Sequence, residues 1–133
     1  MDNGLEIIKL SNIRDAKNGL AFLTRYIHTL NENWWKDVHT GEPIERNVGE
    51  LLCLVHSEIS EAMEGHRKGL NDEKLPHRSM LEVELADAMI RIFDMAGGMH
   101  LDLAGALFEK LEYNKHRADH KMEHRKSDGG KKY

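Results

Sequence analysis

The sequence predicts an all-α fold, a four-helix bundle. Three observations carry that reading. Apolar residues recur at spacings of three and four in four separate stretches, the mark of helices that each bury one stripe. A Ser-x-x-Glu capping pair and several glycine- or proline-bearing segments separate those stretches. No β-hairpin signal and no glycine-rich phosphate loop occurs, which argues against Rossmann and P-loop architectures. At 133 residues the chain suits a single helical domain, 1–133, with 1–12 an unplaced lead-in.

The first helix carries Ala16, Leu20, Leu23, Ile27 and Leu30 on one stripe and is expected to end near Asn33. The following "WWKDVHTGEPIERN" breaks the period and holds Gly41 and Pro43, so it reads as a connector. A second helix, from about Val48 to Arg67, places Leu51, Leu52, Val55, Ile59, Ala62 and Met63 on one broad side, with Gly65 and Gly69 marking its fraying end. After the turn-rich "KGLNDEKLPHR", Ser79 and Glu82 form a capping box, so the third helix starts at about Met80. Its stripe is Leu81, Leu85, Ala88, Met89, Ile92 and Ala96, and the pattern stops at Gly97 and Gly98. Asp102 caps a fourth helix whose stripe includes Ala106, Leu107 and Leu111. Residues 118–133 read as a polar, mobile tail. A core of this modest size favours further burial in a homodimer or homotetramer.

Charged residues make up 32% of the chain and the formal net charge is -4, which leaves no footprint of a nucleic-acid binder. A phosphorylated small molecule is still admissible where local cations or a metal reverse the field. Cys53 is the only cysteine, so an internal disulfide and a multi-cysteine metal site are excluded; among leucines and a valine it is expected in the core. No signal-peptide pattern and no run of about 20 apolar residues is present, so neither a membrane span nor export is expected and the compartment reads as cytoplasm.

Against this background the acids of "HSEISEAMEGHRKG" stand out. On a helical wheel with Leu51 at zero, Glu58 falls at about 340°, inside the apolar arc, and Glu61 at about 280°, beside it. Glu84 and Asp87 share a face of the third helix that borders its stripe. An isolated carboxylate removed from water carries a penalty of several kcal/mol, and Arg91 one turn beyond Asp87 offsets only part of it. Two neighbouring helices, each offering acids at i and i+3, make an oxygen-rich cage suited to a hard divalent cation, Mg²⁺ or Mn²⁺. A di-iron bundle would instead require Glu-x-x-His pairs, and none of Glu58, Glu61 and Glu84 has a histidine three places on.

The runs "RNVGELLCLVHSEISEAMEGHRKG", "VELADAMIRIFDMAG" and "EKLEYNKHR" resemble the MazG-like branch of the all-α nucleoside triphosphate pyrophosphohydrolases, over roughly residues 31–117. That family's pattern is Glu-x-x-Glu, a spacer, then Glu-x-x-Asp, joined to Lys-x-x-x-Asn-x-x-Arg. The resemblance implies Mg²⁺-dependent cleavage of a nucleoside triphosphate between its α and β phosphates, giving the monophosphate and pyrophosphate. It carries over Glu58, Glu61, Glu84 and Asp87 as metal ligands, with Glu58 and Glu61 catalytic and Glu61 the first choice of general base. Lys110, Asn114 and Arg117, at i, i+4 and i+7, are expected on one helix face toward the triphosphate. Arg67 and Lys68 are further cation candidates, and Trp34 or Trp35 offers a flat partner for the base. The chain departs from the family in the long "ADHKMEHRKSD" between Arg117 and the closing "GGKKY". A helical module that binds nucleotide or protein without turnover is the alternative.

Overall fold

The computed structural model describes residues 10–133. Among them the fold is entirely helical. Five α-helices follow in order: α1 (Leu10–Asn31), α2 (Val48–Lys68), α3 (Met80–Gly98), α4 (Leu103–Lys115) and α5 (Met122–Lys126). Short 3₁₀ turns occupy Glu32–Trp35 and Ala118–His120. The chain forms two compact units, Phe22–Leu101 being one, and the segment before Phe22 together with Asp102–Tyr133 the other.

In the first of these units, packing is concentrated between α2 and α3. Asn47 starts α2 by accepting a hydrogen bond from the Glu50 amide at 3.0 Å, and Ser79 with Glu82 forms the expected reciprocal box at the start of α3. Gly69 ends α2 in the left-handed conformation, φ 63°, with the Leu70 amide donating to the Gly65 carbonyl at 2.9 Å. Gly65 itself is no part of a frayed end. It lies buried inside the last turns of α2, where a Cβ would stand 2.6 Å from Met80 Cγ and 2.7 Å from its Cβ. The two helices run antiparallel as a result: Met80 meets Gly65, and Arg91 further along α3 reaches back to Glu58. Gly65→Ala should therefore destabilise this unit by about 1–3 kcal/mol through overpacking. A lowered urea midpoint checks it, whereas an unchanged midpoint would mean that Met80 moves aside freely.

The buried seam is made of small residues. Ala62 on α2 and Ala88 and Ala96 on α3 are buried, joined by Leu51 and Phe93. The broad stripes expected from periodicity are only partly inside: Leu52, Ile59 and Met63 on α2, and Leu85 and Met89 on α3, are exposed. Both helices carry apolar residues on two adjoining sides, and α2 and α3 meet along the narrower side because small residues permit the closest approach. Cys53, expected in the core, is exposed for the same reason. Leu23 and Leu30 of α1 are exposed as well, while Thr24 is buried.

The connector between α1 and α2 is a tight loop around Gly41, φ 72°, closed by bonds from Asp37 to the Glu42 carbonyl and from Ile44 to the Trp35 carbonyl. In the second unit Asp102 caps α4 as expected, accepting from the Gly105 amide at 2.9 Å. Ala104 and Gly105 are buried there, whereas Leu107 and Leu111 of the expected stripe are exposed. The final residues fold back on themselves: Arg125 donates to the carbonyls of Lys131 and Lys132, and Lys132 Nζ donates to the Arg125 carbonyl at 2.7 Å. Among the described residues no helix is long and apolar enough to cross a membrane.

Candidate metal centre

The α2–α3 seam brings three of the four expected acids together. One carboxylate oxygen from each of Glu58, Glu84 and Asp87 lies within 4.8 Å of the other two. Glu58 is 7% exposed and Glu84 9%, so both acids sit inside the seam rather than on its rim. Glu61, one turn along α2, is exposed and stands outside this group, although it lines the same cavity of about 830 Å³. Lys74, from the α2–α3 loop, borders that cavity too. Its position follows from Asp72, whose carboxylate accepts the amides of Lys74 and Leu75 at 2.9 and 2.7 Å and so folds the loop into a turn.

Three acids this close cannot all hold a full charge at ordinary cost. Burial pushes Glu58 up, but the Arg91 guanidinium, whose Nε donates to Glu58 Oε1 at 2.5 Å, and hydrogen bonding with Glu84 and Glu61 bring it below the usual carboxylate range. Glu84 takes the opposite course. Burial first, then sharing a proton with Glu58 and facing the charges of Glu61 and Asp87, pushes it up to about 7. Asp87 is also raised, by burial and by the Glu58 charge. The trio thus divides its charge, with Glu58 ionised against Arg91 and Glu84 retaining a proton near neutrality.

Glu84 Oε2 is buried with no hydrogen-bond partner. An orphaned carboxylate oxygen inside a seam has a desolvation cost that a bound cation would offset. The donor set is all carboxylate oxygen, which fits a hard cation such as Mg²⁺ or Mn²⁺ rather than a soft one.

A second cavity, of about 560 Å³, shares Glu58 and Asp87 with the first and continues past Arg91 and Asp94 to Trp34 and Arg46. The two tryptophans part company here. Trp34 is 72% exposed and lines this cavity, while the Trp35 indole donates to the Asp94 carboxylate at 3.1 Å. Arg67 is exposed at the end of α2, and Lys68 is paired with Glu64 at 2.5 Å; neither lines either cavity.

The remaining expected residues belong to the other unit. Lys110 Nζ lies 4.6 Å over the Tyr113 ring. Asn114 Oδ1 is buried without a partner. Arg117 does not continue the helical face: α4 ends at Lys115, and Arg117 is extended, with φ -74° and ψ 127°. The last turn tightens, as the His116 and Arg117 amides bond to the Tyr113 and Asn114 carbonyls, which carries Arg117 off the i, i+7 line. Its guanidinium grips Asp119 at 3.0 and 2.6 Å, and Lys131 joins at 3.1 Å. The Arg117 and Lys131 hydrogen bonds hold the Asp119 carboxyl far below the usual range.

Sequence reasoning missed Arg46 as a neighbour of the site and gave Asp94, with Glu50, Glu64 and Glu82, no more than a surface or supporting role. Asp94 had a signal, because Asp87, Arg91 and Asp94 lie at i, i+4 and i+7 on one face of α3. Arg46 had none, since its place depends on how the loop closes. No family model, curated protein or solved structure matches this chain.

Proposed function

We propose that this protein is a Mg²⁺-dependent nucleoside triphosphate pyrophosphohydrolase of the MazG-like all-α type, serving nucleotide-pool housekeeping or salvage. The observation that carries the reading is the Glu58–Glu84–Asp87 cluster, with Glu58 and Glu84 buried and Asp87 half-buried, and its orphaned Glu84 oxygen. Glu58, Glu84 and Asp87 would hold the ion, whose chemistry is neutralisation of phosphate charge and acidification of water. Glu61, exposed beside the cluster, accepts the proton of the attacking water. Water adds to the α phosphorus as the bond to the bridging oxygen breaks, so pyrophosphate leaves and the monophosphate remains. Lys74 supplies positive charge on the phosphate side, and Trp34 offers its face to the base.

The exposed stripes Leu52–Ile59–Met63 and Leu85–Met89 support assembly through a second copy of this chain, as a dimer or tetramer. Sedimentation equilibrium tests that part of the reading: Met89→Glu should shift the protein toward monomer.

Incubation with each common NTP and dNTP, with and without Mg²⁺, followed by identification of the products, tests the activity. Monophosphate and pyrophosphate, formed only with the metal, are expected. Release of orthophosphate would contradict the mechanism, and nucleotide-induced thermal stabilisation without any turnover would favour the silent binding module instead.

A further inference from the structure

Trp34 and Trp35 are consecutive residues of one 3₁₀ turn, where successive side chains diverge by about 120°. Fixing one indole therefore decides where the other goes. Trp35 is fixed from four sides. Its Nε1–H is shared between the two Asp94 oxygens at 3.1 and 3.2 Å. Its ring meets the His28 imidazole edge-on at 5.5 Å, and the Arg46 guanidinium lies 5.6 Å from its centroid. The remaining side rests on Gly98, where a Cβ would stand 2.4 Å from the ring.

His28 belongs to the same device. Its Nδ1 lies within hydrogen-bonding distance of Asp94 Oδ1, at 2.9 Å. Gly97 admits His28 as Gly98 admits Trp35: a Cβ on Gly97 would fall 2.5 Å from His28 Cβ. The Gly97-Gly98 pair thus does more than stop α3. It lets one carboxylate gather an imidazole from α1 and an indole from the following turn. Asp94 itself is 13% exposed and faces the cavity that Trp34, Glu58 and Asp87 line.

We infer that Asp94, seated with His28 and Gly98, is a positioning residue that holds Trp35 inward and so presents Trp34 to the nucleobase of a bound nucleotide. The inference rests on the nucleotide reading above and extends it: base affinity is set by a carboxylate that does not touch the base. Phosphate affinity is set elsewhere, at the acid cluster.

The test uses full-length protein labelled with 5-fluorotryptophan, whose two ¹⁹F resonances are assigned with Trp34→Phe and Trp35→Phe. The probes are the α,β-methylene analogues of the common ribo- and deoxyribonucleoside triphosphates, and pyrophosphate, each with Mg²⁺. At least one nucleotide should move the Trp34 resonance, while pyrophosphate leaves it in place. Asp94→Ala and Gly98→Ala should each weaken that nucleotide about tenfold or more, the scale of one lost stacking contact, and leave pyrophosphate affinity within about twofold. Asp94→Asn keeps an acceptor for the Trp35 indole and should restore most of the loss. Trp34→Ala changes an exposed position, leaves folding intact and should lose the same affinity.

A nucleotide that binds with the Trp34 resonance silent, or with affinity undiminished in Trp34→Ala, overturns the inference alone. So does equal weakening of nucleotide and pyrophosphate in Asp94→Ala, which would mark Asp94 as a purely structural group. Absence of binding by every nucleotide and by pyrophosphate overturns the nucleotide reading itself, and this inference with it.

Discussion

Glu58→Gln is expected to lower turnover of the preferred nucleoside triphosphate by about 100-fold or more while α2 and α3 stay folded. Removing a group that merely orients a metal ligand already costs about 10–100-fold, so losing a ligand falls at or beyond that range. Glu58 is the ionised member of the trio and the one Arg91 grips. A glutamine there offers the cation one neutral oxygen and leaves Arg91 without its counter-charge. Steady-state kinetics beside a circular-dichroism melt separates lost chemistry from lost fold. Glu61→Gln provides the contrast: Glu61 lies outside the three-acid group and is the proposed general base, so this change should slow turnover while metal affinity is retained. Undiminished turnover in Glu58→Gln would remove the seam from the chemistry.

In metal-free protein, stability should fall as pH rises from about 4.5 toward 7, and Glu84→Gln should remove most of that slope, leaving the part that Asp87 contributes. Unfolded, Glu84 titrates at its ordinary value of 4.5; folded, burial and its acidic neighbours push it up to about 7. Between those values the folded chain holds a proton that the unfolded chain has released. The native state then binds more protons, so unfolding free energy decreases with pH in this window and levels off above it. Asp87, also raised, acts in the same direction, whereas Glu58, lowered, contributes stability that disappears only as pH falls below the usual carboxylate range. At about 1.4 kcal/mol per pH unit between 4.5 and about 7, the Glu84 contribution is on the order of 3–4 kcal/mol. Urea denaturation at several pH values reads it directly. Mg²⁺ competes with the Glu84 proton, so the metal-induced rise in melting temperature should grow as pH passes through 7. A rise independent of pH would show that the ion binds elsewhere.

Much of this arrangement was legible in the sequence where the signal is local. The Ser79–Glu82 box and the Asp102 cap depend on residues three apart, and both formed as read. The wheel placed Glu58 within the apolar arc and Glu61 beside it, and Glu58 is buried while Glu61 is exposed. What periodicity could not resolve was which of two adjoining apolar sides each helix would bury. Leu85 and Met89 look like core by spacing, yet the seam chose Ala88 and Ala96, because contact between helices depends on the partner's side chains and not on one helix's pattern. Gly65 misled for a related reason: it reads as a breaker until Met80, 15 residues away in sequence, is known to lean on it. Trp35 and Asp94 are 59 residues apart, and no short-range rule joins them. Arg117 shows the limit of extending a helical spacing beyond the point where the last turn tightens.

The most direct measurement is Mn²⁺ binding, followed by electron paramagnetic resonance and by isothermal titration at pH 8, in the full-length protein and in Glu58→Gln, Glu84→Gln and Asp87→Asn. The three acids are held to form one divalent-cation site. The parent protein should therefore bind Mn²⁺ displaceably by Mg²⁺, and each substitution should weaken binding about tenfold or more. Absence of binding in the parent, or affinity unchanged by all three substitutions, would contradict the assignment of this seam as a metal centre.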